Sequence, residues 1–287
     1  MKFLLIILVF FSYTFAIEYS LSSNTTSNAR TIYIEFTKEK NLQYEKLVMG
    51  KRGYSIFNHP TNDEKMYALI PVSYYQKPKD REVKIVYKED GKKKITKISI
   101  KVEDGKYKKE KIQVQKSKVN PKSKEVKQRT AKEYKEAMDI YATVTRKNYI
   151  SSKFIVPMDS KITSDFGKAR VYNDTLKGYH SGTDFRAKVG TPIISSNDGV
   201  VVIAKDRFYA GGTVVVDHGH GIYTCYYHMS KFSVKKGDRV AKSQILGLSG
   251  DTGRVTGPHL HFSARVGGLQ VDPLQLITLL NNNLYKD

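Results

Sequence analysis

Six of the seven histidines lie between residues 180 and 261, and this crowding is the strongest chemical signal in the chain. The single cysteine, Cys225, excludes a disulfide within the chain and any zinc or redox site built on paired cysteines. Histidine and carboxylate side chains remain as ligands for a transition metal such as zinc. The sequence therefore predicts a metal site made of these two residue types.

The motif His259-Leu260-His261 predicts two imidazoles on one face of a strand, because side chains two positions apart point to the same side. Leu260 between them would point into a core. Gly257-Pro258 ahead of the motif predicts a turn that leads into this strand. Taken alone, a His-x-His pattern is weak evidence for metal chemistry.

A second motif, residues 180–184, places a histidine and a carboxylate with three residues between them. Gly182 allows the chain to bend, so His180 and Asp184 can reach one ion from a loop that enters a strand. Two nitrogens, one carboxylate and a fourth position open to water form the ligand set of a catalytic zinc rather than a structural one. Without the other motifs, a surface-loop histidine and a turn carboxylate are the simpler interpretation.

A third motif, Tyr226-Tyr227-His228-Met229, ends an apolar strand. A histidine there can stand beside an ion as a base or a proton donor without ligating it. The chain has no HExxH motif, so it lacks the glutamate base of the commonest zinc proteases. A histidine would have to do that work.

In this order, the three motifs resemble the lysostaphin/LytM-type zinc endopeptidases, which cut peptidoglycan. The resemblance covers about 120 residues, roughly 153–275, and four intervening stretches also fit: Ile162–Gly167, Gly190–Ile193, Asp198–Val201 and Gly237–Val240. The stretch Phe166–Asn173 is similar to the cell-shape-determining members of this family from curved and helical Gram-negative bacteria.

The resemblance implies that His180, Asp184 and His261 bind one zinc ion and that His228 and His259 are the catalytic histidines beside it. It also implies a zinc metalloendopeptidase that remodels the cell wall and cell shape, with peptidoglycan as substrate and cell-shape proteins as partners. Gram-negative members cut the D-Ala to meso-diaminopimelate cross-link, and some also act as D,D-carboxypeptidases. Lysostaphin cuts glycine bridges, so the zinc motif does not fix the substrate.

The alternative is a catalytically silent wall-binding or hydrolase-activating module, and the presence of all five residues argues against it. Residues 236–240 also resemble a lipoyl-type carrier, which has no use for five ordered histidine and aspartate positions. His218 and His220 fall in the variable hairpin of the family and are predicted to be turn residues, with His220 able to touch substrate at the groove rim. Cys225 is predicted to be a small buried apolar residue.

The elements that must position these residues are predicted to be strands. Short Val/Ile runs between glycine-rich turns predict all-β structure from about Phe154 to Leu280, with a β-sheet groove implied by the family. Period-two alternation over residues 30–115 predicts a small antiparallel sandwich with a lysine-rich outer face. A lysine-rich linker is predicted over 108–125. A helix is predicted over 123–146 from apolar residues at helical spacing: Tyr134, Ala137, Met138, Tyr141 and Val144.

The predicted organisation is thus an all-β catalytic domain preceded by a small antiparallel β domain and a linker helix. Its boundaries are a signal peptide over 1–16, an accessory domain over 17–115, a linker and helix over 116–150, and the zinc peptidase domain over 151–287. One basic residue, a nine-residue apolar run and Ala16 are the three parts of a signal peptide. The mature protein is therefore predicted to be periplasmic, with no integral membrane segment.

The net charge of +21 is unevenly distributed along the chain. Residues 151–287 contain 17 basic and 11 acidic residues, whereas the first 150 contain 32 and 17. A basic surface attracts polyanions, namely nucleic acid, anionic lipid or acidic wall polymers, and export argues against nucleic acid. The basic N-terminal half could dock the enzyme on an acidic sacculus, or it could cover the groove and keep the enzyme latent.

Overall fold

The computed structural model describes residues 17–113, 121–172, 174 and 176–285. The predicted signal peptide, residues 1–16, lies outside the described residues. No helix in the described part of the chain is long and apolar enough to cross a membrane. The predicted fold class is confirmed, whereas the exact domain boundaries stay a prediction.

The N-terminal region forms two sheets, with strand orders β1-β3-β7-β6 and β2-β9-β8-β4-β5. Pairing is antiparallel except between β2 and β9, which run parallel. The turn at Asp90-Gly91 has positive φ at both residues and joins β8 to β9. The strands are β1 (Tyr19–Leu21), β2 (Thr25–Ser27), β3 (Thr31–Thr37), β4 (Leu42–Met49), β5 (Arg52–Ser55), β6 (Phe57–Asn58), β7 (Lys65–Pro71), β8 (Lys79–Glu89), β9 (Lys92–Glu103) and β10 (Lys109–Ile112).

The five-stranded sheet has one buried and one solvent-exposed face, as the alternation predicts. Ile98 and Ile100 on β9 point into the core shared with the other sheet, while Lys97 and Lys101 point to solvent. Lys84 on β8 is paired in register with Lys97, which puts two like charges side by side on the outer face. The predicted lysine-rich outer face is therefore present.

The four-stranded sheet is buried on both faces. One face contributes Ile34 and Ile70 to the sandwich core, and the other contributes Tyr33 and Tyr67 to a core shared with the C-terminal region. Residues of the C-terminal helix, Leu280 among them, complete this second core. The N-terminal region is therefore packed directly on the C-terminal region.

The predicted helix is present as α1 (Lys124–Ala142), with Ser123 as the N-cap that accepts from the Val126 N–H. It ends at residue 142 rather than 146, and Tyr134 points to solvent rather than into the apolar stripe. The linker prediction is wrong at residues 109–112, which form β10 and pair in parallel with β12 of the C-terminal region. An edge strand needs backbone partners but few apolar side chains, so a lysine-rich segment can form one.

The C-terminal region is built on a ten-stranded sheet with the central order β11-β14-β21-β18-β17-β16-β19. A smaller sheet, β10-β12-β13, lies at the start of this region. The strands are β11 (Ile162–Ser164), β12 (Ala169–Tyr172), β13 (Leu176–Tyr179), β14 (Thr183–Arg186), β15 (Pro192–Ile194), β16 (Gly199–Arg207), β17 (Gly211–Asp217), β18 (Ile222–Phe232), β19 (Arg239–Val240), β20 (Ile245–Ser249), β21 (His259–Val266) and β22 (Leu269–Val271).

The chain ends in a second helix, α2 (Pro273–Leu284), where continued β structure was predicted. Its start is marked by Asp272, whose side chain accepts from the N–H groups of Leu274 and Gln275, and by proline in the first turn. Gln275 also exchanges two hydrogen bonds with the main chain of Thr31. This helix therefore joins the two regions.

His218 is a buried structural residue, because its ring is hydrogen-bonded to the carbonyl of Asp198 and to the hydroxyl of Thr224. Burial lowers the pKa of His218 from 6.5 to about 4. Between these pH values the unfolded chain binds a proton that the folded protein does not, so stability falls as the pH drops from 6.5 towards 4. The expected loss is up to about 1.4 kcal/mol per pH unit.

Urea unfolding between pH 7 and pH 4.5, measured in the presence of a chelator, tests this expectation. His218→Gln should reduce the pH dependence of the unfolding free energy by up to about 1.4 kcal/mol per pH unit. Equal pH dependence in the two proteins would show that this imidazole titrates normally in the folded state.

Candidate active site

The register of three neighbouring strands brings the predicted site residues together. Asp184 on β14 lies opposite His261 on β21, and Tyr227 on β18 lies opposite His261 from the other side. His259 and His261 share one face of β21, while Leu260 between them is fully buried in the core, as predicted. One row across the sheet thus supplies a carboxylate, an imidazole and an aromatic ring.

His228 reaches the same face through an irregularity in β18. The pairing of β18 with β17 shifts between Tyr226 and Met229, and His228 has a φ of 63°. In a regular strand, Tyr227 and His228 would point to opposite faces, but a bulge allows both to line the site. The sequence predicts that His228 belongs to the site, whereas the position of its side chain depends on this bulge in β18.

Three potential ligand atoms converge at the centre of the site. His180 Nε2 lies 2.8 Å from Asp184 Oδ1 and 3.0 Å from His261 Nδ1, and the same Oδ1 atom lies 2.8 Å from His261 Nδ1. All three residues are buried. His180, Asp184 and His261 form a group that could hold one metal ion.

The outer ring nitrogens show which atoms of the histidine ligands carry hydrogen. His180 Nδ1 lies 2.7 Å from the carbonyl of Asp165, which can only accept, so this nitrogen donates. His261 Nε2 lies 3.0 Å from the Ser263 hydroxyl, which itself donates to the carbonyl of Ser181, so Nε2 donates there too. In the neutral rings, both nitrogens that face Asp184 therefore carry lone pairs.

Two imidazole lone pairs and a carboxylate oxygen within 3.0 Å of one another would repel unless a cation lies between them. This donor set fits a metal ion, and the outer hydrogen bonds are of the kind that orient metal-binding histidines. Burial lowers the pKa of His261 to about 4, which favours the neutral form that binds metal. Burial raises the pKa of Asp184, whereas N–H groups of His180 and His261 that face it in a protonated, metal-free cluster lower it by more and keep the carboxyl ionised.

The rings of His228 and His259 flank this cluster, and the centre of the His228 ring lies 5.9 Å from that of His261. Each Nδ1 is hydrogen-bonded to a main-chain carbonyl, at 2.8 Å to Thr252 and at 2.7 Å to Gly257. His259 Nε2 lies 3.7 Å from Asp184 Oδ1, and the rings of His228 and His259 have their centres 4.8 Å apart. Burial, with His261 and His259 nearby, lowers the pKa of His228 well below its usual range, so the ring is neutral and its Nε2 carries a lone pair.

Gly182 is required for space rather than for a bend. A β-carbon at this position would lie 2.3 Å from the carbonyl oxygen of Phe262 and 2.6 Å from His261 Nε2. Its φ is not in the left-handed region. Any side chain here would displace His261, so the predicted reason for this glycine is corrected while its importance stands.

Aromatic residues of the N-terminal region support the segment that leads into His180. The ring of Tyr74 stacks on Tyr179 with centres 3.8 Å apart, and its hydroxyl donates to the carbonyl of Gly167 at 3.0 Å. A β-carbon on Gly167 would lie 2.2 Å from the ring of Tyr107. The N-terminal region therefore contacts the segment that carries His180.

A cavity of about 180 Å³ opens onto the cluster. Besides His180, His228 and His261, its lining includes two arginines and several tyrosines that the sequence does not mark as functional: Arg170, Arg254, Tyr172, Tyr179, Tyr209 and Tyr227. For Arg254, the sequence offers one indication of a functional role, namely its position in the glycine-rich loop just before His259.

Arg170 is held by acidic partners. It donates from Nε to Glu110 on β10 at 3.0 Å, and its Nη2 lies 3.6 Å from Asp184 Oδ2. Nη2 also donates to Ser164 at 3.2 Å. Arg170 thus connects β10, which the sequence predicts to be part of a linker, with the carboxylate of Asp184.

The other histidines lie away from this cluster. His218 and His220 are in the turn between β17 and β18, as predicted. The idea that His220 touches substrate is wrong, since its ring is buried, stacks on Phe57 and is hydrogen-bonded to the hydroxyl of Tyr67. Cys225 is fully buried, as predicted.

Comparison with known proteins confirms the family resemblance. Residues 178–273 match peptidase family M23. The chain is 48% identical over 122 residues to peptidoglycan DD-endopeptidase ShyA of Vibrio cholerae, which is 42% of this chain and 28% of that protein. It is 40% identical over 97 residues to DD-carboxypeptidase/endopeptidase Mpg of Neisseria meningitidis, which is 34% of this chain and 22% of that protein.

The chain therefore spans about a quarter of the length of these curated relatives. Among solved structures, a Pseudomonas aeruginosa protein assigned provisionally as a peptidase M23 is similar with a TM-score of 0.62 at 24% identity. The match covers 82% of this chain and 88% of that chain. At this identity the likeness shows the fold, and its coverage extends beyond the C-terminal region into the N-terminal sheets.

Proposed function

We propose that this chain, which carries a peptidase family M23 domain over residues 178–273, is an exported zinc-dependent peptidoglycan hydrolase that cuts peptide cross-links. The observation that carries the proposal is the convergence of lone pairs from His180 and His261 on the Asp184 carboxylate, with two further imidazole nitrogens beside them. Three protein ligands and space for a fourth form a catalytic zinc site rather than a structural one.

The hydrogen bonds of the five residues support a division into three ligands and two proton carriers. His180, Asp184 and His261 would hold the ion, which supplies Lewis acidity for polarising a carbonyl and activating water. His228 and His259 would divide the proton transfers, because each presents an Nε2 that can take a proton while its Nδ1–H stays on a main-chain carbonyl. One histidine would accept the proton of the attacking water, and the other would stabilise the oxyanion or protonate the leaving amine.

For the scissile bond, we propose the D-Ala to meso-diaminopimelate cross-link, with terminal D-Ala removed as a D,D-carboxypeptidase activity. ShyA is named a DD-endopeptidase and Mpg a DD-carboxypeptidase/endopeptidase, which supports both reactions. A periplasmic location, a role in cell-wall remodelling and cell shape, and cell-shape protein partners belong to the same proposal. The basic outer face of the five-stranded sheet supports docking on an acidic sacculus.

Digestion of purified muropeptides by the mature protein, with mass spectrometry of the products, tests this function. We expect the wild-type protein to consume cross-linked dimers. The dimers should stay intact when the wild-type protein is chelated and when His259→Ala replaces it. Re-addition of zinc after chelation should restore cleavage. Intact dimers in the presence of zinc-loaded wild-type protein would instead support the catalytically silent wall-binding module.

A further inference from the structure

Arg254 is a fixed cation in the wall of the cavity that contains His180 and His228. Its guanidinium lies between two aromatic faces, 4.5 Å from the ring centre of Tyr172 and 4.9 Å from that of Tyr209. The main-chain N–H of Arg254 also donates to the carbonyl of Tyr209 at 2.9 Å. The position of this charge is therefore set before a ligand enters, which lowers the entropic cost of binding one.

The two arginines of the cavity differ in their partners. Arg170 is paired with Glu110 and lies beside Asp184, so its charge is balanced within the protein. Arg254 forms no ion pair with any carboxylate in the part of the chain that the structure describes. Among the described residues that line the cavity, none is acidic. Arg254 thus remains available to a negatively charged group on a ligand.

A guanidinium binds a carboxylate through two parallel hydrogen bonds. Both bonds in the proposed function place a carboxylate next to the scissile amide. In the D-Ala to meso-diaminopimelate cross-link and in terminal D-Ala-D-Ala, the leaving nitrogen is attached to a carbon that carries a carboxylate. The amides inside a glycine bridge have no such group, so this feature separates the two classes of substrate.

We propose that Arg254 binds the carboxylate on the leaving side of the scissile amide and thereby selects substrates that carry one. This inference rests on the proposed function of the same site and adds a residue that determines its specificity. One contact would then serve both the endopeptidase and the carboxypeptidase reactions. Tyr172 and Tyr209 act as positioning residues, since they hold the guanidinium from both sides.

The test uses two cross-linked muropeptide dimers that differ only at this group, which is a free carboxylate in one and a carboxamide in the other. For the zinc-loaded wild-type protein we expect kcat/KM to be about 10- to 100-fold higher for the carboxylate dimer, because charge-assisted hydrogen bonds are the strong ones. Arg254→Gln should abolish the preference, so that kcat/KM becomes equal for the carboxylate and the carboxamide dimer. Arg254→Lys should show an intermediate preference.

Binding gives a second readout that does not depend on cleavage. The affinities of the two dimers for the zinc-loaded His259→Ala protein, measured by calorimetry, should differ in the same direction, and the added Arg254→Gln change should remove the difference. Arg239→Gln controls for the loss of one positive charge, because Arg239 is an exposed residue of β19. Zinc content and melting temperature should be the same in the Arg254 variants and the wild type.

The outcomes separate this inference from the proposed function. If neither dimer is cut but the affinities differ as stated, the proposed bond is wrong and the role of Arg254 stands. If both dimers are cut equally well, or Arg254→Gln keeps the preference for the carboxylate, the role of Arg254 is overturned while the hydrolase function stands. Equal affinities for the two dimers would overturn it as well.

Discussion

Asp184→Asn is expected to abolish metal binding and to lower cleavage by more than about 10³-fold, since a metal ion supplies several kcal/mol of transition-state stabilisation. Asparagine has the same shape as aspartate but lacks the negative charge that faces the lone pairs of His180 and His261. A divalent ion would then have only two neutral imidazoles and a neutral amide as ligands, with no negative charge to retain it. Metal analysis of the purified protein and muropeptide cleavage measure both effects.

Asp159→Asn is the matched control, because this aspartate is exposed and lies outside the cluster. It should retain one zinc per chain and full activity. In the wild type, added zinc should raise the melting temperature, since an ion that binds only the folded state stabilises it by mass action. This rise should vanish in Asp184→Asn. One equivalent of tightly bound zinc in that variant would show that the carboxylate is not a ligand.

The sequence could predict the membership of the cluster but not the hydrogen bonds that define its chemistry. The motifs at 180–184, 226–229 and 259–262 contain all five residues, and strand alternation alone places His259 and His261 on one face. The proton positions on His180 and His261 depend on Asp165 and Ser263, whose partners are set by tertiary structure. A main-chain carbonyl has no sequence signature, so this information had to come from the fold.

The errors in the predicted fold arise where tertiary contacts override local composition. The lysine-rich stretch at 109–112 reads as a linker, yet pairing with β12 makes it a strand and brings Glu110 to Arg170. The C-terminal helix was missed although its signals, Asp272 and Pro273 before a leucine-rich run, are present in the sequence. The all-β prediction extends to Leu280, but a short apolar segment fits a helix as well as a strand.

The groove arginines are missed for a different reason. Arg170 lies on the short strand β12 and Arg254 in a polar loop, and in both segments the polar composition favours solvent exposure. Their importance follows from what they contact, namely Asp184 for one and two tyrosine rings for the other. Tyr172 and Tyr209 lie 37 positions apart in the chain, and only the tertiary fold brings them to the same guanidinium.

Alanine at His228 or at His259 is expected to lower cleavage by about 10²- to 10⁴-fold while zinc stays bound, the range typical of a lost general acid or base. Both Nε2 atoms face the cluster, but neither belongs to the three atoms that converge within 3.0 Å. Removing either ring therefore leaves the ligand set intact. Metal analysis and kcat for the muropeptide dimer distinguish this result from the loss of metal in Asp184→Asn.

The double variant His228→Ala/His259→Ala should be little worse than the more damaged single variant, because residues that act as a unit show strongly non-additive effects. His59→Gln is the matched control, since this histidine packs between Glu35 and α2 and contacts the carbonyl of Asn283. It should keep full activity. If either active-site variant lost zinc in parallel with activity, that histidine would be a fourth ligand, and the division of the five residues into three ligands and two proton carriers would have to be redrawn.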